Sequence, residues 1–136
     1  MNRPWKSSLS SAFAVALLGV ALVAQADMME NLQKTTPQER AGFQTAYMQT
    51  KLDLPEAEVA KVATVNLEYA QKAEPIIKGS EGSFAKMRQM RALQTEKDAA
   101  LKSVMSPAHY AAYEAARDDM KEKVEADIER KVKGAN

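Results

Sequence analysis

Apolar side chains recur at every third or fourth residue through most of the chain beyond residue 36, and no stretch alternates with a period of two. This spacing places apolar side chains on one face of an α-helix and argues against β-strands. The pattern predicts a short helix over residues 36–50 and long helices that begin near Asp53, Ser83 and Ser106. The fold class is therefore all-α, with a short first helix and three long helices in an elongated coiled-coil-like hairpin or cradle.

Residues that favour helix starts support these boundaries. Thr36 and Glu39 have the spacing of a capping box, in which each side chain accepts a hydrogen bond from the other residue's backbone. Asp53, Ser83 and Ser106 are expected to cap the three later helices. We therefore interpret the starts at Asp53 and Ser106 as structural elements.

The second predicted helix has a coiled-coil-like seam. Its seam positions are spaced 3, 4, 3, 4 and 3 residues apart: Val59, Val62, Asn66, Tyr69, Ala73 and Ile76. Asn66 stands where an apolar side chain would be expected, and a buried Asn can fix the register of packed helices at a cost in stability. Pro75 is expected to kink or end this helix, and residues 78–82 form the clearest break in the chain.

The later helices carry comparable stripes. In the third helix the stripe consists of Phe84, Met87, Met90, Leu93, Leu101 and Val104. In the fourth it consists of Tyr110, Tyr113, Ala116, Met120, Val124 and Ile128. Lys97 lies close to the stripe of the third helix, where its stem could pack while the ammonium reaches water. Residues 27–35 show no period and predict a mobile arm.

The first 26 residues resemble a secretory signal. Arg3 and Lys6 precede an apolar run from Leu9 to Ala24, and the small-x-small sequence at 24–26 follows. The alternative is a membrane anchor, but the run is interrupted by polar residues and is shorter than the ~20 residues of a spanning helix. We expect a cleaved signal peptide over 1–26, a single helical domain over 27–136 in the periplasm, and no membrane span after cleavage.

Charge and composition narrow the function further. The chain carries 19 basic and 18 acidic side chains, and a nucleic-acid-binding protein usually has a strong basic excess, so no nucleic-acid partner is expected. Because there is no Cys and His109 is the single histidine, neither a thiol nucleophile nor a pair of histidines is available within one chain. We predict a protein that is not an enzyme and needs no cofactor. Large aliphatic residues are few, which favours a homodimer.

Metal binding has weak support in the sequence. Glu114, Asp118 and Glu122 lie four residues apart on one helix face and could bind a hard cation, although a solvated acidic face is the favoured interpretation. A dimer could also bring two copies of His109 together. No metal site is predicted.

One segment favours binding of another protein chain. Residues 84–91 place an aromatic ring and two methionines among three basic side chains: Phe84, Lys86, Met87, Arg88, Met90 and Arg91. Methionine is flexible and suits surfaces that accept many partners, and exposed cations attract a partner from a distance. The alternative is that the apolar members pack in the core while the basic members face solvent.

Two helix starts resemble each other. Leu54-Pro55-Glu56-Ala57-Glu58 and Met105-Ser106-Pro107-Ala108-His109 both place an apolar residue before a helix start and a long polar residue within its first turn. They are similar to the twice-repeated Leu-Thr-x-x-Gln (LTXXQ) motif of the Spy/CpxP family of bacterial periplasmic proteins. In the first copy Pro55 and Glu58 stand for Thr and Gln. In the second, the residues that stand for Leu, Thr and Gln are Met105, Ser106 and His109. The order of helices is also similar over residues 36–130.

This resemblance implies a function outside catalysis. Family members are helical, cradle-shaped dimers that act as ATP-independent chaperones or inhibit envelope-stress sensor kinases, and some relatives bind metal. The expected function is therefore a periplasmic chaperone-like protein of the stress response, whose partners are unfolded or partly folded envelope proteins. The alternatives are a regulatory or metal-sensing module that binds the periplasmic domain of a sensor kinase, and a structural envelope protein with no client.

Overall fold

The computed structural model describes residues 26–135, which form five α-helices and no β-strand. The first helix, α1, covers residues 26–33, where the described part of the chain begins. It is followed by α2 (Pro37–Lys51), α3 (Glu56–Lys78), α4 (Ser83–Val104) and α5 (Pro107–Gly134). The predicted all-α class is confirmed. The predicted signal peptide, apart from its last residue, lies outside the described residues.

Helix α1 corrects the expectation of an arm without secondary structure. Its last turn is joined to two other helices, because the Arg40 guanidinium donates to the backbone carbonyl of Leu32 at 2.9 Å and the Gln33 amide donates to that of Ile77 at 3.1 Å. The stretch is only two turns long, which is too short for a helical period to be evident in the sequence.

Two of the predicted helix caps are present. The Thr36 hydroxyl accepts from the Glu39 N–H at 3.1 Å, and the Glu39 carboxylate accepts from the Thr36 N–H at 2.9 Å, which completes the capping box of α2. The Ser106 hydroxyl accepts from the His109 N–H at 3.2 Å at the start of α5. Each cap satisfies a backbone donor that has no partner within the helix.

The other two predicted caps are wrong. Helix α3 begins after Pro55 with no side-chain cap, and Asp53 instead occupies the turn after α2 with φ of 50°. Helix α4 is preceded by Gly82, so Ser83 is its first helical residue rather than its cap. Helix α3 therefore begins later than a cap at Asp53 would allow, whereas α4 begins one residue earlier than a cap at Ser83 would allow.

Pro75 does not end α3, which continues to Lys78. The break follows at Gly79, where a Cβ atom would lie 2.9 Å from the Pro75 carbonyl oxygen. A side chain at this position would therefore force the backbone apart, so the close approach of the chain favours glycine here.

The core lies where α2 and α3 meet the end of α4 and the start of α5. Its buried members are Met48, Leu52, Leu54, Val62, Val65, Leu101, Met105 and Tyr113. Helix α3 packs against α2 and α4, and α2 packs against α5, whereas α4 and α5 touch at few places. Full burial of one such large apolar side chain contributes ~1.5–3 kcal/mol. No helix within residues 26–135 is both long and apolar enough to cross a membrane.

The predicted stripes are confirmed in part. Val62, Asn66 and Ala73 are buried on α3, but the last buried position is Ile77 rather than Ile76. On α5 the core includes the predicted Tyr113, Val124 and Ile128, followed by Val132. On α4 Leu101 is buried and Val104 packs against the core, whereas Phe84 is exposed. The other predicted members are partly buried, and Lys86 and Lys97 are buried beside them.

Candidate functional site

The first turns of α4 carry most of the candidate client-binding residues. Phe84 is 87% exposed and is the one large apolar side chain of the described residues that lies mostly in solvent. Arg88 and Arg91 are exposed, and Met87 and Met90 are partly buried. We call these five residues the α4 amino-terminal surface. The core-packing alternative is therefore wrong for Phe84.

Lys86 does not belong to this surface. Its side chain is buried, and its ammonium donates to the backbone carbonyl of Ile77 at 3.0 Å. The Gln33 amide donates to the same oxygen. A cation at the carboxyl-terminal end of a helix is favoured by the helix dipole, so Lys86 stabilises the junction between the end of α3 and the start of α4. The expectation that the basic residues of this segment face solvent is wrong at Lys86.

The charge of the α4 amino-terminal surface is uniformly positive. No acidic residue occurs from Gly82 through Thr95, although acidic side chains near a helix start would favour the helix. The Arg91 guanidinium lies one turn from Met87 and donates a weak hydrogen bond to its sulfur at 3.9 Å. The surface therefore presents an aromatic ring, thioethers and guanidinium groups side by side, a set suited to apolar contact together with charge attraction.

The two similar helix starts meet in space. The Glu58 carboxylate, in the first turn of α3, accepts from the backbone N–H of Ser106 at 3.1 Å, and its other oxygen lies 2.7 Å from His109 Nδ1. The apolar residues that open the two starts, Leu54 and Met105, are both buried in the same core cluster. Equivalent polar positions, Glu58 and His109, thus bind each other and connect α3 to α5.

The remaining motif positions do not reach this contact. Pro55 and Pro107 are exposed, and Pro107 occupies the first turn of α5, where the missing N–H costs no hydrogen bond. The motif residues therefore join the start of α3 to the start of α5. No sequence signal identified the contact between Glu58 and Ser106, because 48 residues separate them.

An ion pair between a buried arginine and a partly buried glutamate had no functional signal in the sequence. Arg40 forms an ion pair with Glu74, and its guanidinium also donates to the backbone carbonyls of Leu32 and Thr35. Burial would raise the pKa of Glu74, but hydrogen bonds from Lys78 and Arg40 outweigh it and hold this pKa below its ordinary value. This cluster joins α1, α2 and α3.

The acidic residues of α5 remain separate. Glu114, Asp118 and Glu122 are exposed. Over residues 26–135 there is no group of three or more His, Asp or Glu side chains that could hold a metal ion.

A family model described as a domain of unknown function (DUF4890) matches residues 24–113, which is more than half of the chain. The matched region runs from the start of α1 into the first turns of α5 and includes both helix starts and the α4 amino-terminal surface. No curated protein matches the chain, and no solved structure does either.

Proposed function

The chain belongs to the DUF4890 family, and we propose that it is an ATP-independent, chaperone-like protein that binds exposed apolar segments of unfolded or partly folded envelope proteins. The observation that carries the proposal is the solvent-exposed Phe84 ring beside Arg88 and Arg91. A large apolar side chain in solvent is unfavourable for the protein alone, and it gains free energy when a partner covers it.

The chemistry of this surface fits weak and adaptable binding. Burial of one phenylalanine side chain contributes ~1.5–3 kcal/mol, which is too little for a permanent complex by itself. Met87 and Met90 can adjust to different partners, and the two guanidinium groups attract acidic segments before contact is made. A surface of this kind can capture a client and release it without nucleotide hydrolysis.

Periplasmic location and dimerisation are part of the proposal. The signal-like pattern of residues 1–26 and the resemblance to the Spy/CpxP family support export to the periplasm. A homodimer would carry two α4 amino-terminal surfaces, and two linked weak sites bind one extended client more tightly than either does alone. Light scattering should give twice the mass of the cleaved chain, and a monomer at micromolar concentration would exclude the dimer.

The test is suppression of aggregation of a chemically unfolded model client. Phe84→Ser should lower suppression several-fold because it removes the exposed ring, and Phe84→Leu should retain most of it because the side chain stays apolar. Neither change should alter the melting temperature, since the ring makes few contacts in the folded chain. Equal suppression by Phe84→Ser and the unchanged protein contradicts the proposal.

A regulatory module is the second candidate, because the same basic surface could bind an acidic patch on the folded periplasmic domain of a sensor kinase. Binding of that kind rests on Arg88 and Arg91 rather than on the ring. A pull-down of sensor domains that survives Phe84→Ser but is lost with Arg88→Glu and Arg91→Glu would favour this candidate. Loss with Phe84→Ser would favour the chaperone-like function.

A further inference from the structure

A cavity lies between α4 and α5, and residues of α1 and α2 complete its wall. Its volume is about 370 Å³, which lies in the lower range of small-ligand sites. Much of its wall is apolar and is formed by Met28, Leu32, Met90, Met120, Val124 and Ile128. A smaller cavity of about 100 Å³ adjoins it, since both share Leu32, Met90 and Gln94 as wall residues, and Lys97 lines the smaller one.

Lys97 is a buried cation that forms no ion pair with a carboxylate among residues 26–135. Its side chain is only 6% exposed, and its ammonium donates to the neutral amide oxygen of Gln44. An ammonium group has three N–H donors, and a buried charge that lacks a countercharge is costly. Burial lowers the pKa of Lys97 to about 8, so the group is still largely protonated at neutral pH.

Two charged side chains near Lys97, Asp98 next to it in the sequence and Arg40 in the wall of the smaller cavity, already have partners. The Asp98 carboxylate binds the Arg117 guanidinium at 2.9 Å and accepts from the Tyr113 hydroxyl at 2.8 Å. Arg40, which also lines both cavities, is paired with Glu74. The wall of the smaller cavity therefore retains one buried cation whose attraction for an anion is not already used by a protein carboxylate.

We propose that this pair of cavities binds a single-chain amphiphile with a carboxylate head group. The head group pairs with the Lys97 ammonium, and the hydrocarbon chain fills the apolar space between α4 and α5. A carboxylate supplies the missing countercharge, and the chain covers apolar side chains that α4 and α5 do not bury against each other. This site lies apart from the exposed ring of Phe84 and serves a small ligand rather than an unfolded protein.

Calorimetric titration of the full chain with decanoate tests the proposal, with decanol and decyltrimethylammonium as ligands of the same chain length. Saturable one-to-one binding is expected, with decanoate at least tenfold tighter than the other two. Lys97→Gln should lower the affinity for decanoate at least tenfold and leave that for decanol unchanged. Lys61→Gln, an exposed lysine on α3, is the matched control and should change neither.

Further variants keep the test independent of folding defects. Lys97→Arg keeps the charge and should retain the preference for decanoate over decanol. Met120→Trp fills the apolar cavity and should weaken decanoate and decanol alike. The proposal is overturned if decanoate does not bind, if the cationic amphiphile binds equally well, or if Lys97→Gln folds normally and binds decanoate unchanged. Loss of a dimer with Met120→Trp, without any decanoate binding, would instead assign the cavity to a second copy of the chain.

Discussion

Two polar side chains, those of Lys97 and Asn66, are buried in the helical bundle. Lys97 and Asn66 both lie on apolar helix faces, and both are almost completely buried. Their positions within apolar stripes were visible in the sequence. Their partners were not, because Gln44 lies 53 residues from Lys97 and Thr45 lies 21 residues from Asn66.

The stability of the protein should increase with pH across the range in which Lys97 loses its proton. Burial lowers the pKa of Lys97 from an ordinary value of 10.5 to about 8, so the unfolded chain binds more protons between these values. The free energy of unfolding therefore rises as pH increases through that window, by on the order of 2 kcal/mol between about pH 8 and about pH 10.

Lys97→Met is the control for this pH dependence. It removes the titrating group, so the rise should disappear and the free energy of unfolding near neutral pH should be higher than in the unchanged protein. The pKa of Tyr47 is raised to about 12 by burial and by its hydrogen bond to Asp119, which destabilises the folded state only above about pH 10. Urea denaturation at several pH values measures both effects, and a rise that persists in Lys97→Met contradicts the assignment.

Replacement of Asn66 should stabilise the fold. Its side chain is 0% exposed, its amide nitrogen donates to the Thr45 hydroxyl at 3.0 Å, and its amide oxygen has no hydrogen-bond partner in the described part of the chain. Asn66→Leu has a similar shape and removes the unpaired acceptor, so the free energy of unfolding should rise by about 1 kcal/mol. Thermal denaturation measures the change. A loss of more than about 2 kcal/mol would show that the amide is needed for packing.

Helix boundaries show which local signals are sufficient. The capping box at Thr36 and the cap at Ser106 were predictable because a hydroxyl precedes the first helical turn directly and no competing start lies nearby. The predicted cap at Asp53 is wrong because Pro55 favours an extended conformation for the residue before it, so the helix begins later. Asp53 instead adopts a left-handed conformation in the turn. The expectation of an arm in place of α1 is wrong for a different reason, because the hydrogen bonds that hold α1 come from α2 and α3, which are distant in the sequence.

The start of α5 should depend on two side chains from different helices. Ser106→Ala removes the cap on the His109 N–H and should lower the free energy of unfolding by about 1 kcal/mol. Glu58→Ala leaves the Ser106 N–H and the His109 ring without their acceptor, and it should cost about 1–2 kcal/mol. Ser103→Ala is the control, since this exposed hydroxyl bonds only a carbonyl of its own helix.

Chemical denaturation of the three single variants and of the double variant Glu58→Ala/Ser106→Ala tests this junction. Because Ser106 and Glu58 act on the same helix start, the double variant should lose less than the two single losses combined. If Ser106→Ala lowers client binding at unchanged stability, the helix start is a binding element, and its structural interpretation is wrong.

In the whole molecule, α4 and α5 contact each other at few places. The helix number after residue 36 and the all-α class follow from hydrophobic spacing alone, but spacing does not reveal which helices pack together. Because α4 contacts α5 at few places, much of the stripe predicted for α4 is only partly buried, and Phe84 faces solvent. The composition of residues 84–91 indicated a binding surface. It did not predict the burial of Lys86, whose ammonium donates to a backbone carbonyl at the end of α3.

Substitutions of charged and of apolar residues in the α4 amino-terminal surface should change different steps of client binding, namely capture and release. Arg88→Glu with Arg91→Glu should slow client capture and make the remaining capture less sensitive to salt, since exposed charges act over the ~8–10 Å Debye length at ordinary ionic strength. Lys61→Glu with Lys121→Glu is the matched charge control on other helices and should leave the capture rate nearly unchanged.

Met87→Ser with Met90→Ser should instead speed client release, because apolar burial sets the lifetime of such a complex. Stopped-flow fluorescence with a labelled client measures capture and release separately. Because both methionines are only partly buried, the melting temperature should fall modestly, with most of the loss at Met90, which lines the cavity between α4 and α5. A large fall in melting temperature, with unchanged release from the protein that remains folded, would make these side chains core residues. The client surface would then be confined to Phe84 and the two arginines.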